Sequence, residues 1–246
     1  MLSSDNNLLR ALNQRDFEAL KPFLKTVHAG KGTVLYDQGD KVCSMYFPCG
    51  GSIVALEILV TEGKAVEANL IGREGVIGAI LGAGYMHAYA RARVQFPGEF
   101  LKIDKSDLEK VKAHFPPVAH LLACYSECLF NQLLQSIACN ATHSIEQRTA
   151  KWLSFTVDRT GTVEISLTQE EFANILGVSR TYMSRVLQSL RNLRILETRR
   201  GSILVCDRTM LQKLTCGCHD AVCHHFETVL KGVYPGRNRF PESSLS

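Results

Sequence analysis

The feature that most constrains the fold of this chain is the stretch 167–190, which carries two helix-start signals separated by one glycine. Thr168 and Glu171 have the spacing of a capping box, in which each side chain bonds the backbone N–H of the other residue. Gly177 is typical of the position just past a helix C-terminus, and Ser179 is a good N-cap for the next helix. Two short helices joined by a glycine turn predict a helix-turn-helix.

The apolar residues of this stretch indicate which side of each helix is buried. The predicted buried positions are Phe172, Ala173, Ile175 and Leu176 in the first helix, and Tyr182 or Met183, Val186, Leu187 and Leu190 in the second. The exposed side of the second helix is left with Arg180, Thr181, Ser184, Arg185 and Gln188. Arginine forks match the O6 and N7 acceptors of guanine in a DNA major groove. The helix N-termini, with Thr168, Gln169 and Ser179, can meet phosphates.

A basic hairpin is predicted directly after the second helix. Arg200-Gly201-Ser202 has the composition of a tight turn between two strands, which places Arg199 and Arg200 at the tip of a wing. Asp207 is then expected to cap a further short helix. Capping box, glycine turn, exposed arginines and basic wing follow one another in order, and this agreement makes the pattern more specific than a helical hairpin alone.

Charge is distributed unevenly along the chain. The net charge is +4, and residues 141–246 carry 14 Lys and Arg against 10 Asp and Glu, so the whole excess lies in this part. From Arg180 to Arg200 there are six arginines and one acid, Glu197. A local positive surplus favours a polyanionic partner such as nucleic acid, whereas a charge cluster taken by itself is more often only a solvated surface.

The first part of the chain has a different pattern. Residues 6–20 predict an amphipathic helix that is stopped by Pro22. Further on, short apolar runs alternate with glycine-containing turn signals, and the runs are Thr33–Tyr36, Met45–Phe47, Ser52–Val60, Ala65–Ile71, Ala90–Phe96 and Phe100–Ile103. Strands at this spacing predict an antiparallel sandwich or barrel.

A long helix is predicted to begin at Pro116-Pro117 and to end near Asn140, followed by another over 143–155. Apolar residues recur in the long helix at intervals of three or four and form one stripe, made of Val118, Leu122, Tyr125, Leu129, Leu133 and Ile137. This stripe can pack on the β domain of its own chain, or pair with the same helix of a second subunit. Because the stripe is long enough for both, we predict a homodimer through residues 116–140.

Taken together, these parts resemble the cyclic-AMP-receptor and fumarate–nitrate-reduction regulators, the Crp/Fnr family. The likeness extends from about Phe23 to Leu211 and is most specific over Leu167–Asp207, with His143–Arg148 before it. The resemblance implies an α+β fold with an N-terminal β-roll, which is a jelly roll like that of cyclic-nucleotide-binding domains, then a long dimerisation helix and a C-terminal winged helix-turn-helix. The implied division is a β-roll sensor domain (1–115), a dimerisation helix (116–140), a DNA-binding domain (141–215) and a partly disordered Cys/His-rich tail (216–246).

The resemblance also implies partners and contacts. Arg180 and Arg185 would contact bases or nearby phosphates of double-stranded DNA, and RNA polymerase is a candidate further partner. The family usually has a glutamate directly after the first of these arginines, where this chain has Thr181. Since a carboxylate accepts a hydrogen bond from cytosine N4 better than a threonine does, the base preference of this chain should differ from that of its relatives.

The sensor region departs further from the family pattern. In cyclic-nucleotide-binding relatives a Gly-Glu pair holds the ribose and an Arg-Ser pair holds the cyclic phosphate. The matching positions here are Gly78-Ala79 and His87-Ala88, and a buried phosphate needs charged or strong donors. We therefore expect that cyclic AMP is not the effector. The roll either binds another, unknown effector at these four residues or serves only as a dimer scaffold. The N-terminus lacks the cysteine cluster of the iron–sulfur branch, so no cofactor is expected to be required.

The tail concentrates cysteine and histidine. Cys216, Cys218, Cys223 and one of His224 or His225 could supply the four ligands that tetrahedral zinc requires, although Cys-x-Cys is tighter than the usual spacing. The alternative is a short helix in which Val222, Phe226 and Val229 pack on the domain and the cysteines stay idle. A metal-sensing or redox-sensing regulator is therefore an alternative to one that responds to a small organic ligand.

Other classes of protein leave no signature in the chain. It lacks the G-x-S-x-G, P-loop and H-E-x-x-H motifs, so an enzyme is not expected. The stretch 75–90, which contains no Asp, Glu, Lys or Arg, has 16 residues and is too short to span a bilayer. The N-terminus has no apolar signal region, so we expect a cytoplasmic protein with no membrane partner. A sensor or adaptor whose winged helix contacts proteins is the remaining alternative, and the exposed arginine pair argues against it.

Overall fold

The computed structural model of the protein describes residues 5–60, 65–78 and 87–235. The helices and strands of the N-terminal half are α1 (Asn7–Arg10), α2 (Gln14–Leu20), β1 (Lys25–Ala29), β2 (Val34–Tyr36), β3 (Ser44–Pro48), β4 (Ile53–Leu59), β5 (Ala65–Ile71), β6 (Arg91–Phe96), β7 (Gly98–Asp104) and α3 (Lys105–His114). Those of the C-terminal half are α4 (Pro116–Thr142), α5 (Ile145–Thr160), β8 (Glu164–Ile165), α6 (Gln169–Leu176), α7 (Arg180–Asn192), β9 (Leu196–Arg199), β10 (Ser202–Val205), α8 (Arg208–Leu214) and α9 (Cys218–Val229). The predicted α+β class is confirmed.

The N-terminal strands form two antiparallel sheets, with the strand orders β1–β7–β3 and β2–β6–β4–β5. The six apolar runs predicted as strands lie on β2 to β7. Strand β1 was not predicted because only Val27 and Ala29 of its five residues are apolar, and His28 separates them, so it contains no continuous apolar run. The single helix predicted over 6–20 was wrong: the Asn13 side chain accepts from the Asp16 backbone N–H and starts a second helix there.

Helix α4 lies on the β domain of its own chain. Val118, Tyr125 and Leu129 are buried in the same core as Phe47 and Phe100 of the sheets. Full burial of an apolar side chain of this size contributes about 1.5–3 kcal/mol. The first half of the long helix is therefore part of the core of the N-terminal domain.

The C-terminal domain also packs on the β domain, through a second hydrophobic core. The sheet residues in this core are Ile53, Ala55, Leu70 and Phe96. They pack with residues of α5 and α6 that include Trp152 and Phe172. Trp152 Nε1 donates to Glu67 Oε1 of β5 at 2.9 Å across the same boundary. Apolar packing and a polar contact thus hold the two domains together.

The segment predicted as a Cys/His-rich tail contains helix α9, which packs on α4 and α5. Val222 and Phe226 of α9 are buried in the N-terminal core. His219 Nε2 lies 3.1 Å from Asp158 Oδ2 of α5. Further on, Asn7 Nδ2 donates to the Val233 carbonyl at 2.8 Å and so ties the two ends of the described chain together. None of the helices in the described ranges combines the length and apolarity needed to cross a bilayer.

Candidate nucleic-acid interface

Helix α6, the first helix of the helix-turn-helix, begins and ends where the sequence predicts. The Thr168 hydroxyl accepts from the Glu171 backbone N–H at 3.1 Å, and the Glu171 carboxylate accepts from the Thr168 backbone N–H at 2.8 Å. Gly177 ends the helix at a φ of +69°, a conformation that residues with a Cβ adopt only rarely. The buried side chains of α6 are Phe172, Ala173 and Leu176.

Helix α7, the second helix of the motif, is capped by Ser179, whose side chain accepts from the Tyr182 backbone N–H at 3.2 Å. Of the two candidates for its first buried position, Met183 is buried and Tyr182 is exposed. The other buried residues are Val186, Leu187 and Leu190, as predicted. The exposed side carries the predicted set Arg180, Thr181, Ser184, Arg185 and Gln188.

Arg180 and Arg185 are the two exposed cations at the start of α7. Neither forms an ion pair with any residue in the described ranges. Gln188, by contrast, donates to Asn192 Oδ1 at 2.8 Å and accepts from Arg191 at 3.3 Å. The two guanidinium groups can therefore bind acceptors in a DNA groove without first breaking an intramolecular ion pair.

The wing consists of β9 and β10, joined by Arg200-Gly201, with β8 as the third strand of the sheet. Arg199 is partly neutralised, because its guanidinium lies 3.6 Å from Glu164 Oε1 and 3.7 Å from Glu197 Oε2. Arg200 is exposed and has no ion-pair partner among the described residues. Arg200 is thus the wing cation with more charge available for a phosphate.

The two capping hydroxyls are not equally available for phosphate contacts. Thr168 Oγ1 also donates its proton to Glu171 Oε2 at 2.9 Å, so the cap uses the whole hydroxyl. The Ser179 hydroxyl acts only as an acceptor in its cap and keeps its proton for a phosphate oxygen. Gln169 is half-buried in the first turn of α6. Of the two caps, Ser179 is the better placed for the predicted contact.

Helix α6 is tied to the β domain through its capping residue. Lys31 Nζ lies 2.7 Å from Glu171 Oε1 and donates to the Ser166 carbonyl at 3.2 Å. Partial burial raises the pKa of Glu171, but the bonds from Lys31 and Thr168 outweigh it and the pKa lies below its ordinary value. The Glu171 carboxylate therefore caps the first helix of the motif and also forms an ion pair with the β domain.

The predicted dimerisation stripe lies largely inside the protomer. Four of its members are buried and Leu133 is half-buried; the four are Val118, Leu122, Tyr125 and Leu129. A different row is exposed: Phe130, Leu134 and Ile137 are 60%, 47% and 67% exposed. Their spacing places these three on one side of the helix. Periodicity identified an apolar stripe but not what covers it, so only Ile137 of the predicted stripe remains fully available to a second subunit.

Two of the predicted effector residues, Gly78 and Ala88, are buried parts of the β domain. Gly78 is buried with a φ of +93°, where a side chain would be strained. Ala88 is buried, and its backbone N–H donates to the Asp40 carbonyl at 2.8 Å. His87 is exposed, and Ala79 lies outside the described residues. Ala88 therefore has neither a polar side chain nor a free N–H to offer a phosphate.

The four predicted metal ligands are not brought together. Cys216 and Cys218 lie side by side and are buried, but no ligand atom of Cys223 or His224 joins them. The group that forms instead, among the described residues, consists of Cys139, His143, Cys216 and Cys218. The prediction missed Cys139 and His143. Their spacing of four residues was a usable signal in the sequence, because positions four apart lie on one side of a helix.

The comparisons with known proteins agree with this geometry. Residues 147–214 match the family model described as the Crp-like helix-turn-helix domain. No curated protein matches the chain in sequence.

Solved structures with the same fold include proteins described as transcriptional regulators of the Crp/Fnr family. A putative regulator of this family from Eubacterium rectale is 21% identical, with a TM-score of 0.64 over 84% of this chain and 96% of that one. FixK2 from Bradyrhizobium japonicum is 19% identical, with a TM-score of 0.66 over 78% and 98% of the two chains. The c-di-GMP-responsive global regulator CLP from Xanthomonas campestris is 15% identical, with a TM-score of 0.63 over 78% and 99%.

The fold combines an N-terminal β domain, a long helix and a C-terminal winged helix-turn-helix whose second helix, α7, exposes its polar face. The protein has the fold of the Crp/Fnr transcriptional regulators and carries a Crp-like helix-turn-helix domain at residues 147–214. The resemblance drawn from the sequence is thereby confirmed.

Proposed function

We propose that the protein is a sequence-specific DNA-binding transcription regulator that inserts helix α7 into the major groove. The observation that carries this proposal is the pair Arg180 and Arg185, exposed on a well-capped helix without internal ion-pair partners in the described ranges. Arginine donates two hydrogen bonds to guanine, and each such contact gives about 1–3 kcal/mol of discrimination between bases. A solvated surface has no need of arginines held in this arrangement.

The test is selection of bound sequences from a random DNA pool by the full chain. We expect a roughly palindromic site for the wild type and a relaxed preference at defined bases for Arg180→Ala and Arg185→Ala. Arg15→Ala removes the same charge from an exposed position of α2 and is the matched control. Failure of the wild type to enrich any sequence would favour the alternative, an adaptor that uses the winged helix for protein contacts.

We further propose that the regulator is a homodimer, joined by the exposed row Phe130, Leu134 and Ile137 of α4. Large apolar side chains left open in a row of this kind mark an interaction surface. A two-fold dimer would place two α7 helices about 34 Å apart, which is one turn of DNA. The symmetry of the selected DNA site and the mass of the protein in solution test this independently of each other.

The effector of the β-roll is, in this proposal, a compound other than cyclic AMP. The support is the engagement of Ala88, whose N–H already bonds Asp40 and whose side chain lies in the core. Desolvating a phosphate without replacing its hydrogen bonds is unfavourable. Calorimetric titration with cyclic AMP should therefore give no heat of binding at micromolar ligand. Binding there, coupled to tighter DNA binding, would contradict this part of the proposal.

A further inference from the structure

Three cysteines and one histidine from distant parts of the chain meet at the C-terminal end of α4. Cys139 lies in the last turn of α4 and His143 directly follows the helix. Cys216 and Cys218 come from the short connection between α8 and α9 and the first residue of α9. The four ligand atoms all lie within 4.8 Å of one another. The cluster is assembled by the fold and not by local sequence.

Two distances between these atoms match those between ligands of a tetrahedral metal. Cys139 Sγ lies 3.5 Å from Cys216 Sγ, and Cys218 Sγ lies 3.5 Å from His143 Nδ1. Ligands around zinc, with Zn–S of about 2.3 Å and Zn–N of about 2.0–2.1 Å at tetrahedral angles, lie about 3.5–3.8 Å apart. A disulfide would need about 2.05 Å between its sulfurs, and both cysteines are free.

The surroundings of the cluster favour negatively charged sulfur. Lys151 Nζ of α5 lies 3.1 Å from Cys139 Sγ, and Gln135 Nε2 donates to Cys218 Sγ at 3.1 Å. Three thiolates on a divalent cation leave one negative charge, which the Lys151 ammonium balances. Outer contacts of this kind orient and tune metal ligands. The cysteines are buried, whereas His143 is half-buried and leaves a path for a metal ion from solvent.

We propose that Cys139, His143, Cys216 and Cys218 form a Cys₃His site for a thiophilic divalent metal. Zinc is the metal that four tetrahedral sulfur and nitrogen donors favour. The site links the end of α4 to the connection between α8 and α9, and Lys151 extends the link to α5. A metal ion there fixes the point at which the long helix passes into the DNA-binding domain. This inference goes beyond DNA binding and is tested without DNA.

The test begins with elemental analysis of the full chain, purified without a histidine tag and under reducing conditions. We expect about one equivalent of zinc per chain, as for structural zinc sites. The metal-free protein is then titrated with Zn²⁺ against a chromophoric chelator, and with Co²⁺, whose visible absorption reports tetrahedral sulfur coordination. Wild type should take up one Co²⁺ per chain with an intense sulfur-to-metal band.

Variants separate this site from the one predicted from the tail alone. His143→Ala should weaken Zn²⁺ binding by more than about 100-fold, since loss of even an outer contact costs about 10–100-fold. Cys139→Ser should do the same, and His143 provides the test if the buried serine prevents folding. Cys223→Ser and His224→Ala are the matched controls and should bind Zn²⁺ as the wild type does.

Three results would overturn the proposal. The first is that reduced, folded protein binds no Zn²⁺ or Co²⁺. The second is that the two control variants lose the metal while His143→Ala and Cys139→Ser retain it. The third is that mass spectrometry of protein purified without a reductant finds a Cys139–Cys216 disulfide and no metal, which would make the cluster a thiol pair.

Discussion

Arg159 Nε of α5 donates to Glu74 Oε1 of the β domain at 2.7 Å, and the two side chains are only 1% and 3% exposed. The guanidinium also lies over the rings of Phe155 and Tyr234, at 4.7 and 5.3 Å from their centroids. One buried ion pair thus joins the β domain, the DNA-binding domain and the C-terminal segment. Removing one partner of such a pair leaves a charge in the core without its counterion.

Glu74→Ala should lower the free energy of unfolding by about 3–5 kcal/mol, the usual cost of breaking a buried pair. Chemical denaturation followed by the fluorescence of Trp152, the one tryptophan of the chain, measures it. Glu18→Ala removes an exposed partner of Lys21 and should cost less than about 1 kcal/mol. Equal losses in the two variants would contradict the role assigned to the buried pair.

Arg200→Ala in the wing should weaken binding to all DNA sequences alike and reduce the slope of log K against log salt by about 0.9. Arg199→Ala should have a smaller effect, because Glu164 and Glu197 already neutralise part of its charge. Titrations of a selected and an unrelated duplex at several salt concentrations measure both effects. A changed base preference in Arg200→Ala would show that the wing contacts bases.

Ile137→Glu should convert the dimer to monomers, because it places a charge in the exposed apolar row of α4. Leu129→Glu should instead unfold the chain, since Leu129 is buried inside the protomer. Sedimentation velocity and circular dichroism distinguish the two outcomes. A wild type that is monomeric at micromolar concentration would contradict the proposed dimer. A Leu129→Glu variant that is folded and monomeric would contradict the packing assigned to Leu129.

We expect Glu67 to make the stability of the protein depend on pH between about pH 4.3 and 7. Burial raises the pKa of Glu67 to about 7, although the hydrogen bond from Trp152 opposes this. The unfolded chain loses the same proton near pH 4.3 (about the value for a free glutamate). Between these pH values the folded state binds a proton that the unfolded state has lost, so stability falls as pH rises through the window.

Glu67→Gln keeps an acceptor for Trp152 and removes the titration. Its stability should stay flat between about pH 5 and 8 and exceed that of the wild type at pH 8 by on the order of 2 kcal/mol. Denaturation at several pH values tests this, with the exposed Glu170→Gln as control. A Glu67→Gln variant with the same pH profile as the wild type would locate the titration elsewhere.

The DNA-binding half could be predicted because its signals are local. The capping box of Thr168 and Glu171, the glycine at 177 and the cap at Ser179 each act within four residues, and the structure forms all three. The strands were found for the same reason, since glycine-containing turns separate them. Local chemistry was sufficient for these elements, although it missed the cap at Asn13 that starts α2.

Contacts between distant segments could not be predicted from the sequence. Glu67 and Trp152 are 85 residues apart, and no pattern in either segment points to the other. The long helix is apolar on more than one side, so its periodicity could not tell Tyr125, which faces the β domain, from Phe130, which faces solvent. The residues of the proposed metal site could not be predicted as a group for the same reason, because Cys139 and Cys216 are 77 residues apart.

The bond between Lys31 and Glu171 has a consequence for signalling. Glu171 caps α6 and also bonds Lys31 of the β domain, so a ligand that binds better with Lys31 withdrawn would favour a state in which α6 has lost one contact with that domain. Thermodynamic linkage then requires reciprocity: if the ligand alters DNA affinity by some factor, DNA alters ligand affinity by the same factor. An operator duplex would therefore help to find the proposed effector, since a compound coupled in this way binds the protein with a different affinity when DNA is present.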